Sequence, residues 1–293
     1  MFDIVSDLHI DQWDSSLPNL YPCGEISDYP YEFPDTESEY LIIAGDISDS
    51  IDISIKYLDF ISQNTKYKKI LFVDGNHEHV HKYPSLYSHN EINKKIQDLN
   101  NNKIVYLPKN HLVNKNKDTV FIGFCGWWDY DNSKKKSIKE NLDYFKEWIP
   151  HLNKEDSINF IKNVIKKSEE EYKELDRHLN KYSKDPNIKN VVIVTHTCPQ
   201  EKFCDGSTST IMNTKYNKLI KKYPKISHWV FGHTHNTYEL KSDNIHFICN
   251  PRGRPEDFDR KKYYVKTIDF FKNESHKKII KKTTKKKNKK SRK

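Results

Sequence analysis

No apolar run in this 293-residue chain approaches the roughly 18 residues of a membrane-spanning helix, so a helical membrane span is excluded. The five cysteines form no Cys-x-x-Cys and no paired framework, which excludes a disulfide scaffold. Cys23, Cys125, Cys198, Cys204 and Cys249 therefore read as reduced thiols. The first strand begins at once, so no signal peptide is expected and the compartment is expected to be cytoplasmic. Acids are missing from residues 276–293, which hold eleven of the Lys and Arg; of the net +9, the rest of the chain carries −2. That segment has no aromatics and only Ile279 and Ile280, so it is expected to be a disordered Lys-rich tail. It could be a nuclear-localisation, nucleic-acid or anionic-surface arm, or a solubilising tail. Glycine is also scarce, with eight residues in all.

Apolar runs alternate with helical periodicity, which indicates an α/β chain. Residues 12–39 read as a long loop with Pro18, Pro22, Pro30 and Pro34, framing a site entrance or lying on the surface. Ile51, Ile55, Leu58 and Ile61 mark one helix; Ile92, Ile96 and Leu99 mark another. Strands are predicted at Ile104–Leu107, Val120–Phe124, 237–250 and 263–270. Residues 138–182 read as helical with a break at Pro150. Their second half starts at Asn153 with Asp156 and has an apolar face of Ile161, Ile165, Tyr172, Leu175, Leu179 and Tyr182.

What the chain does have is five short segments of metal-ligand side chains in a fixed order. They are Asp7-Leu8-His9, Gly45-Asp46, Gly75-Asn76-His77-Glu78, Thr195-His196 and Gly232-His233-Thr234-His235. Each lies at the end of an apolar run that reads as a buried strand. Strands of one sheet deliver their ends to one edge, so distant residues can meet there. Carboxylate, amide oxygen and imidazole suit Mn, Fe, Zn or Ni and need no thiolate. Asp46 could bridge two cations. Asp7, His9 and His235 could complete one site, and Asn76, His196 and His233 the other. Two cations about 3.5–4 Å apart clamp the attacking and leaving oxygens of a phosphoryl transfer. Taken singly, each segment reads as a turn Asp, a turn glycine or a packed histidine. Their order points to a site, and three of the eight glycines fall inside them.

The succession D-x-H, G-D, G-N-H-E, a lone His and G-H-x-H resembles the calcineurin-like metallophosphoesterase superfamily over roughly residues 1–255. The resemblance implies a four-layer αββα sandwich of two mixed β-sheets flanked by helices. It is expected to form one catalytic domain over residues 1–275, with a helical insertion at about 131–185. It also implies two divalent cations, with Mn expected and Fe, Zn or Ni as alternatives. A water bridging them would attack phosphorus in line with the leaving oxygen. His77 would stand near the leaving group as general acid or electrostatic stabiliser. Glu78 could orient His77 or hold the turn.

The protein serine/threonine phosphatases carry Arg where this chain has Ser50 and Asp74, which argues against that branch. Asn250-Pro251-Arg252-Gly253 resembles a stretch of small, soluble, bacterial-type members. Arg252 and Arg254 are therefore candidate phosphate contacts, or else a surface pair balancing Glu256 and Asp257. Trp127 and Trp128 could stack a substrate ring or cap the core. His77-Glu78-His79-Val80-His81 is also a literal H-E-x-x-H, but it follows a strand and a Gly-Asn turn and soon meets Pro84. A protease helix does not fit there, and His79 and His81 are expected to be solvated or to line the site. Three readings follow: a phosphoesterase acting on a phosphate mono- or diester, a nuclease holding DNA or RNA by its tail, and a catalytically silent, metal-stabilised binding module.

Overall fold

Four strands run parallel in register at the start of the chain: β1 (Phe2–Val5), β2 (Tyr40–Ala44), β3 (Lys69–Val73) and β4 (Ile104–Tyr106). Phe2 faces Tyr40, and Tyr40 faces Lys69, so β1, β2 and β3 finish at one level. The computed structural model describes residues 1–13, 33–114, 116, 118–131, 153–204, 212–257 and 263–270. The tail, most of the 12–39 loop, Cys23 and the region around Pro150 lie outside the described residues.

β5 (Leu112–Val113) and β6 (Thr119–Phe124) open a second sheet. It continues through β7 (Asn190–Thr195) and β8 (Ile226–Phe231), both parallel to β6. The hairpin β9 (Tyr238–Ser242) and β10 (Ile245–Cys249) closes it, with β10 parallel to β8. Asp243 and Asn244, both in the left-handed region, turn the hairpin and divide the span predicted at 237–250. β11 (Lys266–Ile268) returns antiparallel to β1, so both sheets are mixed: β11-β1-β2-β3-β4 and β5-β6-β7-β8-β10-β9.

Alternation along the strands divides the core into layers. Phe2, Ile4, Ile42, Leu71, Val192, Val230 and Ile248 pack between the sheets. Phe2 stacks on Tyr40 and Phe121 at 4.5 and 4.7 Å, contacts worth about 0.5–1.5 kcal/mol each beyond area burial. The opposite residues of the first sheet meet α1 (Ile51–Asn64) and α2 (His89–Gln97). A Ser88–Glu91 capping box starts α2. The outer face of the second sheet meets α3 (Lys154–Lys184) and α4 (Tyr216–Lys222). This is the αββα sandwich.

Asn153 caps α3 as expected, with its side chain accepting the Asp156 N–H at 2.8 Å. The buried stripe of α3 runs through Phe160, Ile161, Val164, Ser168, Glu171, Leu175, Leu179 and Tyr182. Ile165, expected on that face, is 43 % exposed. Val164 takes the inward position because the stripe follows 160, 164, 168 and 171. Among the described residues no helix is long and apolar enough to cross a membrane.

Candidate metal centre

Every one of the five segments lies at or just beyond the C-terminal end of a parallel strand: β1, β2, β3, β7 and β8. The chain turns sharply there. Asp7, His9, Asp46, His233 and His235 all have left-handed backbones, with φ between 42° and 69°. That conformation costs a non-glycine residue on the order of 1–2 kcal/mol, and such strain concentrates at functional sites. The surrounding bonds impose it. The Asp7 N–H donates to Gly45 O at 3.0 Å, and the His9 N–H to Asp46 O at 3.1 Å. The His233 N–H donates to Asp7 Oδ1 at 2.9 Å, tying the second sheet to the first.

Two glycines make room for the donors. A Cβ on Gly75 would collide with Asp46 Oδ1, and one on Gly45 would lie 2.5 Å from His196 Nδ1. Gly45 also takes φ +81°, where it alone is unstrained.

The side chains converge in two groups. Asp7, His9 and His235 form the first, with His9 Nε2 to His235 Nε2 3.1 Å and His235 Nε2 to Asp7 Oδ1 3.6 Å. Asp46, His196 and His233 form the second, with His196 Nε2 3.0 Å from Asp46 Oδ2 and 3.1 Å from His233 Nδ1. Asn76 Oδ1 joins it, 3.1 Å from His196 Nε2. Donors holding one cation at about 2.0–2.2 Å sit roughly 3–4 Å apart, so these spacings fit. Asp46 also groups with His9 and His77, which places it between the two sets. The His196 Nδ1–H donates to Ala44 O at 2.8 Å and leaves Nε2 for the centre. The charges agree: burial works against the Asp46 charge, but His196 and His77 outweigh it and hold its carboxyl well below the usual range. Burial, with the neighbouring His77, His235 and Arg254 adding to it, drives His9 well below the usual histidine value.

His77 stands beside this centre, with Nε2 3.8 Å from Asp46 Oδ2 and 3.1 Å from Arg254 Nη2. Its Nδ1 is 2.5 Å from Asp49 Oδ1. Burial opposes its charge, but Asp46 and Asp49 prevail and raise its pKa. Asp49 went unassigned in the sequence, although it closes the local pattern Gly45-Asp46-x-x-Asp49.

Glu78 does not touch His77 in any described bond; it holds the turns. It accepts from Gly75, Asp46 and Ile47 N–H groups at 2.7, 3.0 and 2.7 Å, and from the Ser54 hydroxyl at 2.9 Å. Burial and the Asp46 charge push its carboxyl up to about 7 against those donors.

The expectation that His79 is solvated or lines the site is corrected. It is fully buried, 2.9 Å from Asp74 Oδ2, and its Nδ1 accepts the Tyr87 N–H. Tyr106 binds the other Asp74 oxygen at 2.6 Å. Both His79 nitrogens are thus committed to the fold. The two histidines of the H-E-x-x-H match are His77, which is buried, and His81, which is exposed, and no cluster of three or more metal-ligand side chains among the described residues contains both. Asp74, standing where another branch carries Arg, serves this buried network.

Trp127 is an enclosed core residue and not a stacking platform. Glu171 of α3 accepts the Gly126 and Trp127 N–H groups and draws this segment inward. Both tryptophans pack with Cys125, Tyr83, Phe160 and Val164. Trp128 reaches the centre through His233, on which it stacks at 5.7 Å. Arg252 is buried, its guanidinium 4.0 Å above the Trp13 ring. Arg254 points to His77, and its Nε–H has no hydrogen-bond partner among the described residues.

Residues 1–237 match the family model described as Calcineurin-like phosphoesterase. The chain belongs to this family. An uncharacterized protein of Acanthamoeba polyphaga mimivirus is 24 % identical over 264 residues, spanning 85 % of this chain and 89 % of that one. Among solved structures, the phosphopantetheinyl hydrolase of Mycobacterium tuberculosis superposes with a TM-score of 0.66 at 17 % identity, covering 93 % of this chain and 97 % of its own. A dimetal phosphatase from Danio rerio superposes with a TM-score of 0.47 at 14 % identity, covering 85 % and 86 %.

Proposed function

We propose that this calcineurin-like protein hydrolyses a phosphate ester at a dinuclear divalent-metal centre. The observation that carries the reading is the placement of His77 and Arg254 beside two convergent donor sets, with Asp46 in one set and grouped with His9 of the other. Asp7, His9, His235 and Asp46 would hold one cation; Asp46, Asn76, His196 and His233 would hold the other. When bound, such a pair supplies an activated water and a clamp for the phosphate oxygens. Mn is the expected metal from the family resemblance, and the nitrogen and oxygen donors suit Fe, Zn or Ni as well.

The chain's own groups complete the chemistry. Arg254 offers guanidinium donors to a phosphate oxygen, and its buried Nε–H gives it a reason to do so. His77, whose pKa Asp46 and Asp49 raise against burial, would give a proton from Nε2 to the leaving oxygen. Asp49 keeps the Nδ1 proton in place. Arg252 lies over Trp13 in the same loop that carries Arg254. No described residue favours the nuclease reading, and its tail lies outside the described residues. The silent-module reading leaves the His77–Asp49 pair and Arg254 without a purpose.

The test is hydrolysis of p-nitrophenyl phosphate against bis-p-nitrophenyl phosphate by apo-protein supplied with Mn, Ni, Zn or Mg. Metal-dependent release of nitrophenol from either is expected, and their ratio separates monoesterase from diesterase. No hydrolysis with any of the four metals would sink the proposal.

A further inference from the structure

The loop after β10 touches both sheets at the metal centre. Its Arg252 N–H donates to Ser6 O at 2.9 Å, and its Gly253 N–H to Asp7 O at 2.8 Å. Asn250 reaches Ile4 O at 2.9 Å, and Trp13 Nε1 donates to Gly253 O at 2.9 Å. These bonds lash the loop to the end of β1. Four residues past Gly253, Asp257 Oδ2 lies 2.6 Å from His235 Nδ1 on the other sheet. The same oxygen accepts the Arg254 N–H at 2.6 Å.

We infer that Asp257 is a positioning residue that sets one cation site and the seat of Arg254 together. The inference rests on the phosphoesterase reading above. A carboxylate only accepts, so the His235 ring carries its proton on Nδ1 and turns Nε2 toward Asp7 and His9. A carboxylate behind a histidine ligand fixes the ring and raises its basicity. The Arg254 backbone, held by the same oxygen, starts the side chain that ends on His77. One oxygen thus links the metal ligand of the second sheet to the guanidinium beside the proposed acid. Nothing in the spacing of the five segments marks Asp257, because it lies 22 residues beyond His235 and meets it only through the fold.

The experiment uses the full chain with Asp257→Ala, Asp257→Asn and His235→Ala. Mn binding to apo-protein is titrated calorimetrically, and kcat and KM for the better nitrophenyl ester are measured at saturating Mn. Asp257→Ala is expected to weaken one Mn equivalent by about 10–100-fold, the same equivalent that His235→Ala weakens. The other equivalent stays within about threefold. Saturating Mn should restore most of kcat while KM stays raised several-fold, because Arg254 has lost its anchor. Asp257→Asn should lie between the alanine variant and the native chain, and it answers the same question if the alanine variant fails to fold. Unchanged Mn affinity and unchanged KM in both variants would overturn the inference. So would equal weakening of both equivalents with a lowered Tm, which is what a merely structural role produces. The Mn titration does not depend on turnover, so it stands or falls apart from the hydrolysis result.

Discussion

Asp49 Oδ1 lies 2.5 Å from His77 Nδ1, on the side of the ring away from the Asp46 contact. Gln12 and Asp11 hold Asp49 in turn, through Gln12 Nε2 at 3.4 Å and the Asp49 N–H to Asp11 Oδ2 at 2.8 Å. Burial and the Asp49 charge push the Asp11 carboxyl up to about 7. The ring is therefore oriented from behind, and its Nε2 faces the centre. His77→Ala is expected to keep both metals and lower turnover by roughly 10²–10⁴, with the largest loss for poor leaving groups. Asp49→Asn should give a smaller loss of the same kind. Metal analysis alongside a leaving-group series checks this. Loss of metal from the His77 variant would make it a ligand and refute its role as acid.

Asp46 is the carboxylate lying between both donor sets. Asp46→Asn should weaken both cations and abolish hydrolysis, while the Glu78 bonds to the turn backbone remain available. Two tightly bound ions with near-native turnover in this variant would contradict the bridging assignment.

His81 belongs only to the H-E-x-x-H reading, whereas His79 belongs to the buried Asp74 network. His81→Ala should leave hydrolysis within a few-fold, because the residue is exposed. His79→Ala removes a buried donor from Asp74 and a ring from Trp127. A loss of about 2–4 kcal/mol is expected, read as a lower denaturation midpoint. Peptidase activity that vanishes with His81→Ala would reverse the reading.

Acid should destabilise the fold through His228, far from the centre on β8. Burial, with His246 and Lys241 adding to it, lowers its pKa to about 4. A histidine held neutral in the fold gives stability that is present above about pH 6.5 and lost as pH falls toward 4. The loss is on the order of 1–3 kcal/mol. His228→Asn should flatten that part of the stability profile in urea titrations at stepped pH. An unchanged slope between pH 6.5 and 4 would show that His228 is not the group responsible.

The ligand segments were legible in the sequence because each is local. A strand, a turn and a donor occupy fewer than ten residues, and alternation of apolar residues fixes which face is buried. The helices at Ile51–Asn64 and His89–Gln97 were legible for the same reason. Local pattern did not decide which His is spent on packing. His79 lies two residues from His77, yet Asp74 and Tyr87 claim it, while Asp49 and Arg254 claim the other. Nor did it decide that Trp127 is core, since Glu171 draws its backbone in from 44 residues away. Left-handed backbones at Asp7, His9, Asp46, His233 and His235 were equally hidden. Local preference opposes them, and only the bonds between strand ends hold them there. The sequence by itself determined which donors reach the sheet edge and in what order. The tertiary structure alone decided how Asp49, Asp257, Glu78 and Arg254 are arranged around them, because those contacts join separate loops and carry no period along the chain.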